Sequence, residues 1–298
     1  MITVFGSINV DLVCDVAKIP NPGETVLGSD YSLIPGGKGA NQALAARRAG
    51  ADVRLIGTIG DDDIADAALT ELTPAGVDLS AVARRQGTTG VAIITVDARG
   101  ENTIVVSSGA NKATHAGQVG AGAFAATDTL LLQMEVRHEE NLQVARRAAE
   151  AGARVVLSIA PFAPLTPKEL GPASVIVVNE HEAADLARYV GLSARGDQAV
   201  VNALARRLDR TVIATLGPNG AVASGPGGLV HVPALPVTPV DTTGAGDTFA
   251  GVLAAFLDEG ADLRTAMANA AIAGSLSCTK KGAQPSFPTR VDIEAARE

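Results

Sequence analysis

Tryptophan is absent from the sequence, and aromatic residues fill only 3% of its 298 positions. A core must therefore be built from aliphatic and small side chains, and the 32 glycines together with abundant alanine point to close helix-on-sheet packing. Cysteine is nearly missing too. Cys14 and Cys278 lie far apart and form no Cys-x-x-Cys, which excludes a disulfide framework and reads as two free thiols in a reducing compartment. Positive charge is short: the net charge is −8, and basic residues cluster no further than Arg47-Arg48, Arg146-Arg147 and Lys280-Lys281. Nucleic-acid binding needs a basic footprint and is not expected. No stretch reaches the roughly 18 apolar residues of a membrane span. The opening MITVFGSINVDLV lacks a basic segment followed by a long apolar one, so it does not read as a signal peptide. The expectation is a soluble, cytoplasmic protein with no membrane and no nucleic-acid partner.

What is present is a rhythm. Apolar residues make up 47% of the chain, enough for a sizeable core. Short apolar runs at Ile2–Phe5, Val53–Ile59, Thr129–Met134, Val155–Ile159, Val175–Val178 and Thr211–Leu216 read as strands. Between and after them, Asn41–Ala49, Asp62–Leu72, Glu139–Ala151, Glu182–Tyr189, Gln198–Leu208, Gly244–Leu257 and Leu263–Ser275 read as helices. Strands of about five apolar residues alternating with helices predict βαβ units, hence an α/β fold with a mainly parallel sheet covered on both faces. Two regions break the rhythm. Asp11–Leu33 scatters Val, Ile and Thr around Pro20, Pro22 and Gly23, and Thr89–Ser107 reads as a hairpin turning at Asp97-Ala98-Arg99-Gly100. Neither has a partner helix. They predict a small β lid, made of inserted segments at about 11–33 and 89–107 within a single domain spanning 1–298.

Familiar nucleotide and metal motifs fail. Gly37-Lys38 is followed by Gly39, and Ser32 stands where the first glycine of a Walker A loop belongs. The first strand leads into Gly6-Ser7-Ile8-Asn9-Val10-Asp11 rather than Gly-x-Gly-x-x-Gly, which removes support for a dinucleotide fold. No His-Glu-x-x-His occurs, and His115, His138, His181 and His231 are scattered. The run Asp241-Thr242-Thr243-Gly244-Ala245-Gly246-Asp247 remains, between the β-like stretch Leu235–Val240 and a helical run. Gly244, Ala245 and Gly246 would form a first helical turn, whose free N–H groups and positive dipole end favour an anion. That suits a transferring phosphoryl group, with Asp247 placed to take a proton from a hydroxyl. A glycine-rich helix entry with an Asp N-cap explains the same residues equally well.

Six segments, in order from end to end, resemble the signatures of the ribokinase (PfkB) family of sugar kinases. They are Gly6–Asp11 with Pro22-Gly23-Glu24-Thr25; Gly36-Gly37-Lys38-Gly39-Ala40-Asn41-Gln42-Ala43; Asn179-Glu180-His181-Glu182; Thr215–Gly220; Asp241–Asp247; and Lys281–Ser286. The resemblance implies a ribokinase-like three-layer αβα core with a β lid. It implies Asp247 as catalytic base and Gly244, Ala245 and Gly246 as the anion hole. The sugar would be held by Asn9, Asp11, Gly37, Lys38, Gly39, Ala40, Asn41 and Glu135, groups that suit a polyol whose hydroxyls both donate and accept. ATP would contact Asn179, Thr215, Leu216, Gly217, Pro218, Asn219, Gly220, Gly246 and Asp247. Glu182 would organise Mg²⁺ through its water shell, and K⁺ would sit beside Asp241, Thr243, Ser277, Lys280, Gly282 and Ser286, several acting through carbonyl oxygens. Two departures stand out. Ser158-Ile159-Ala160-Pro161 replaces an Asn-Pro-Ala-Pro-like turn, and Ala271 falls where the family has Asn or His near the adenine. Asn269, two residues early, points roughly 200° away on a helix and is not assigned.

The resulting expectation is transfer of the ATP γ-phosphate to the primary 5-hydroxyl of ribose. A sibling kinase for fructose, another sugar or a nucleoside is an alternative, though the polar set suits a bare polyol better than a base that would stack on aromatics. A non-catalytic sugar or nucleotide sensor on the same fold is another, against which the retained Asp247 argues. A lid with an apolar face and open edges needs covering, so a homodimer through 11–33 and 89–107 is expected.

Overall fold

The computed structural model describes residues 1–297. In chain order, β1 (Ile2–Phe5) is followed by β2 (Asn9–Val16), β3 (Gly28–Gly36), α1 (Lys38–Arg48), β4 (Val53–Ile59), a short α2 (Leu72–Ala75) and β5 (Asp78–Arg84). Then come β6 (Gly90–Val96), β7 (Asn102–Ser107), β8 (Thr129–Leu132), α3 (His138–Glu150), β9 (Arg154–Ser158), a short α4 (Pro167–Leu170) and β10 (Val175–Asn179). The rest comprises α5 (Glu180–Tyr189), α6 (Asp197–Leu208), β11 (Thr211–Thr215), β12 (Ala221–Gly225), β13 (Gly228–Val232), α7 (Ala245–Asp258), α8 (Leu263–Ser277) and α9 (Arg290–Ala295).

A nine-stranded sheet runs in the order β13-β12-β11-β10-β9-β8-β1-β4-β5. It is parallel from β5 to β11, with β12 and β13 added antiparallel at one edge. Apolar side chains alternate between its faces because successive residues of a strand point opposite ways. Leu131, Val156, Val177 and Ile213 pack under Leu44 of α1, Phe249 and Leu253 of α7 and Met267 of α8. Their neighbours Leu132, Val155, Ile176 and Val212 pack on the other side against Val144 of α3, Leu186 of α5 and Leu204 of α6. This two-sided burial is why the strands read as unbroken apolar runs, and it gives the three αβα layers. No helix among the described residues is long and apolar enough to cross a membrane.

A second, four-stranded sheet has the order β3-β2-β6-β7. It is mixed: β2 pairs parallel with β6 and antiparallel with β3, and β6 pairs antiparallel with β7. Two expectations fail locally. Asp62–Leu72 is not one helix but turns, a 3₁₀ segment at Ala67–Leu69 and then α2. The carboxylate of Asp62 is drawn instead to Thr89, accepting its N–H at 2.8 Å and its hydroxyl at 2.6 Å, the local competition that makes Asp a poor helix interior. Leu235–Val240 forms no strand, because Pro233, Pro236 and Pro239 remove ladder donors around and within it. The β5 strand and the β12–β13 hairpin were not anticipated: alanine and glycine, weak strand formers, fill much of them.

Candidate active site

The second and first signatures fold onto each other. Gly37 precedes α1 with φ 88°, and a Cβ there would lie 2.6 Å from the backbone nitrogen of Asn9, so only glycine fits this crossing. The first N–H groups of α1, which lack helical partners, are met from outside. Lys38 N–H donates to Glu135 Oε2 at 3.0 Å, Gly39 N–H to Ser7 Oγ at 3.2 Å, and Ala40 N–H to the Ser7 carbonyl at 2.9 Å. The Ser7 hydroxyl in turn donates to Glu135 Oε2 at 2.6 Å. Gly39 and Ala40 are buried, and their N–H groups hold the loop to Ser7.

Asn9, Asp11, Lys38, Asn41, Glu135 and Asp247 converge where the small sheet meets the C-terminal ends of the core strands, the usual ligand position in an open α/β sheet. Burial, reinforced by the charges of Glu135 and Asp247, pushes the Asp11 carboxyl up to about 7 against the pull of Lys38. The charge of Asp247 leads in holding the Lys38 ammonium above its ordinary value, over the opposing effect of burial, with Glu135, Glu182 and Asp11 adding to it. Asn9 is oriented by a residue that the sequence did not announce. Asn111 Oδ1 accepts the Ile8 N–H at 2.9 Å, so its amide NH₂ must face Asn9, whose Oδ1 accepts at 2.6 Å. The NH₂ of Asn9 is left as a donor toward the cleft.

Asp247 lies in the first turn of α7 and is only 7% exposed. Its Oδ2 accepts from Asn41 Nδ2 and its Oδ1 from Gln42 Nε2, both at 3.0 Å. Gln42 Oε1 accepts from Gln133 Nε2 at 2.8 Å, and Asn41 Oδ1 from Gln284 Nε2 at 3.1 Å. Gln42 and Gln284 lie inside two of the signatures but were given no role there, and Gln133 lies in none. Gly244 caps α7 in the left-handed region at φ 78°. The N–H groups of Gly244, Gly246 and Asp247 make no hydrogen bond among the described residues, so they are available to an anion. Ala245 is the exception in the expected trio, since its N–H donates to the Thr242 carbonyl at 3.2 Å and closes the turn.

Asp241 braces that turn. Its two oxygens accept the Thr243 N–H at 2.9 Å and the Gly282 N–H at 2.8 Å. Burial works against its charge, but the hydrogen bonds from Thr243 and Gly282 outweigh it and hold the carboxyl below the usual range. The Cys278 carbonyl accepts from Val240 and Asp241, so the 277–282 segment runs alongside 240–243. The Ser277 and Ser286 hydroxyls donate to the carbonyls of Gly274 and Ala283, leaving their own lone pairs. A cleft of about 490 Å³ opens here between the two sheets, lined by Asp11, Ile34, Ile94, Asp241, Thr243 and Gly282 among others.

On the nucleotide side, Asn179 and Thr215 are register partners at the ends of β10 and β11. Thr215, Leu216 and the 3₁₀ turn Gly217–Asn219, with Pro218 inside it and Gly220 after it at φ 84°, form one loop. The Leu216 side chain is buried and packs the loop down. Asn179 and Glu182 make a reciprocal capping box at the start of α5, each bond 2.8 Å. Burial raises the Glu182 carboxyl, against the Asn179 N–H and Lys38. Lys280 is not drawn into any of these contacts. No group of three or more His, Cys, Asp or Glu able to hold a metal occurs among the described residues, so a cation here depends on water or carbonyl oxygens.

Comparison with known proteins agrees with this geometry. The chain matches the pfkB family carbohydrate kinases over residues 1–290. It is 38% identical to the ribokinase of Bacillus subtilis (strain 168), over 98% of both chains. Its fold superposes on a ribokinase structure from Thermotoga maritima with a TM-score of 0.91 and 30% identity, covering 100% of this chain and 99% of that one. An Arabidopsis thaliana ribokinase complexed with ribose and ATP gives a TM-score of 0.88 and 28% identity, covering 99% and 97%. With its motifs in one cleft and its whole length matched, this chain belongs to the pfkB family of carbohydrate kinases.

Proposed function

We propose that the protein phosphorylates D-ribose at its 5-hydroxyl, using ATP and giving ribose 5-phosphate and ADP. The observation that carries this reading is Asp247: a buried carboxylate beside two free glycine N–H groups, facing a cleft edged by Asn9, Asp11, Lys38 and Glu135. Relatives named ribokinase over nearly their whole length, one of them solved with ribose and ATP, support the substrate. Asn9, Asp11, Asn41 and Glu135 pair the sugar hydroxyls and orient the 5-hydroxyl toward Asp247. Asp247 takes its proton as the oxygen attacks the γ-phosphorus, and the bond to the β,γ-bridging oxygen breaks to release ADP. Lys38 and the N–H groups of Gly244 and Gly246 stabilise the charge on the transferring group. The proton leaves Asp247 for solvent after product release.

Two ions fit the residues present. Glu182 keeps one oxygen outside its capping box and lies within electrostatic reach of Lys38 and Asp247, so it is suited to water-mediated Mg²⁺, which when bound neutralises phosphate charge. Asp241, with the carbonyl-bearing 277–286 segment alongside, suits a monovalent cation such as K⁺ better than a divalent one. The apolar outer face of the small sheet, with Tyr31, Leu33, Ile93 and Val105 exposed, supports a homodimer in which this sheet acts as a lid, in a cytoplasmic enzyme. The test is a coupled ADP-release assay over ribose, deoxyribose, fructose and adenosine. Highest kcat/KM for ribose is expected. Ribose binding by calorimetry without ADP release would instead mark a sensor, and preference for another acceptor would move the substrate.

A further inference from the structure

We propose that Gln42, Gln133 and Gln284 are positioning residues: they complete two one-way strings of amide hydrogen bonds that hold the Asp247 carboxylate in its reactive orientation. The proposal rests on the reading of Asp247 as the base. A carboxylate only accepts, so Asn41 and Gln42 must both turn their NH₂ groups to it. Each then has only a carbonyl oxygen to offer outward. Gln284 donates to the one and Gln133 to the other, so the same polarity continues a second residue deep. All three glutamines are 0% exposed.

The direction has a cost that core packing does not explain. With their NH₂ groups committed inward, Gln133 Oε1 and Gln284 Oε1 have no hydrogen-bond partner among the described residues. Buried acceptors are rarely left so. Gln133 also demands space: a Cβ on Gly6 would lie 1.9 Å from its Oε1, which accounts for the glycine that opens the first signature. An apolar side chain at either outer position would remove that orphaned oxygen but would leave Gln42 Oε1 or Asn41 Oδ1 without its donor.

What the strings achieve is fixation. One donor on each oxygen stops the carboxylate from rotating, and the donors come from different parts of the chain. Gln42 and Asn41 stand on α1, Gln133 directly after β8, and Gln284 on the 3₁₀ turn at Gln284–Ser286. The Asn141 side chain pins the Gln133 carbonyl at 2.6 Å. Gln133 is two residues before the sugar-facing Glu135, and Gln284 two after the Gly282 that anchors Asp241. Each string thus ties the base to a different wall of the site.

The experiment replaces the amides by methionine, which keeps length and removes the donor. Gln42→Met is expected to lower kcat about 100-fold and Gln133→Met about tenfold, as a displaced catalytic group does, with KM for sugar and ATP little changed. The melting temperature should change little in Gln133→Met, because one orphaned oxygen is exchanged for another. The double variant Gln42→Met/Gln133→Met should match Gln42→Met alone, because the outer amide acts only through the inner one. Unchanged kcat in the folded single variants, or multiplicative losses in the double, overturns the proposal. Should Gln42→Met fail to fold, Gln133→Met and Gln284→Met decide: lower kcat at unchanged KM supports the strings, and wild-type kcat in both overturns them. Asp247→Asn separates the two readings. If it stays active, the base assignment falls; if it is inactive while the glutamine variants are normal, only the strings fall.

Discussion

Asp11 is a carboxylate kept where its charge is disfavoured, by burial and by the charges of Glu135 and Asp247. Its folded pKa of about 7 stands above the ordinary 3.8, so between those values the folded state holds a proton that the unfolded chain has lost. Its contribution to stability is full below the lower value, falls as pH rises to 7, and stays low beyond. Asp11→Asn should therefore raise the melting temperature at pH 8 and raise it less at pH 5, while weakening sugar binding. Thermal melts at the two pH values check this, and an equal gain at both contradicts it. Asp247→Asn should lower kcat by about 10²–10⁴-fold, the contribution of a positioned base, measured by ADP release. These two aspartates were legible because each sits in a recognisable run. Asn111 and Gln133 lie outside those runs, and Ser7, Gln42 and Gln284 lie inside them but drew no role, since what makes them part of the site is a partner up to 243 residues away.

The first turn of α7 shows what an element can and cannot reveal in sequence. Its glycines announced a helix entry, and the free N–H groups of Gly244 and Gly246 agree with an anion hole. That Ala245 closes the turn instead depends on Thr242, which no local pattern exposes. Gly244→Ala should destabilise the protein by about 1–2 kcal/mol, because φ is 78°. Its Cβ would also lie 2.9 Å from the Phe287 ring. Chemical denaturation should record that loss, and kcat should fall more than sugar affinity. The same turn is tied to Gly282 by Asp241, so K⁺ is expected to raise kcat over Na⁺-only buffer, and Asp241→Asn to remove the difference. Equal rates in both salts would contradict the cation site. Strands buried on both faces were legible because apolar residues dominate them, with polar ones mostly at their ends. Asp62–Leu72 was misread because its aspartates serve a loop 27 residues on.

At the scale of the molecule, the alternation of strand and helix disclosed the three layers, and the missing helices around 11–33 and 89–107 disclosed the second sheet. The parallel pairing of β2 with β6 was not legible, because pattern says nothing about direction. The exposed Tyr31, Ile93 and Val105 on the outer face of that sheet lead to a further expectation. Light scattering at micromolar concentration should give a dimer, and Val105→Lys a monomer; a monomeric wild type would refute the interface. Strand β2 joins this surface to the sugar. It starts at Asn9, 2% exposed in the site, and ends at Val16 near the rim of the small sheet. Eight residues make it about 26 Å long. A tilt of about 10° at the buried end carries the far end by roughly 4 Å over that length. With Asn9 at its buried end, the strand would act as a lever between the proposed sugar cleft and the proposed dimer surface, so the two clefts of such a dimer would be mechanically coupled.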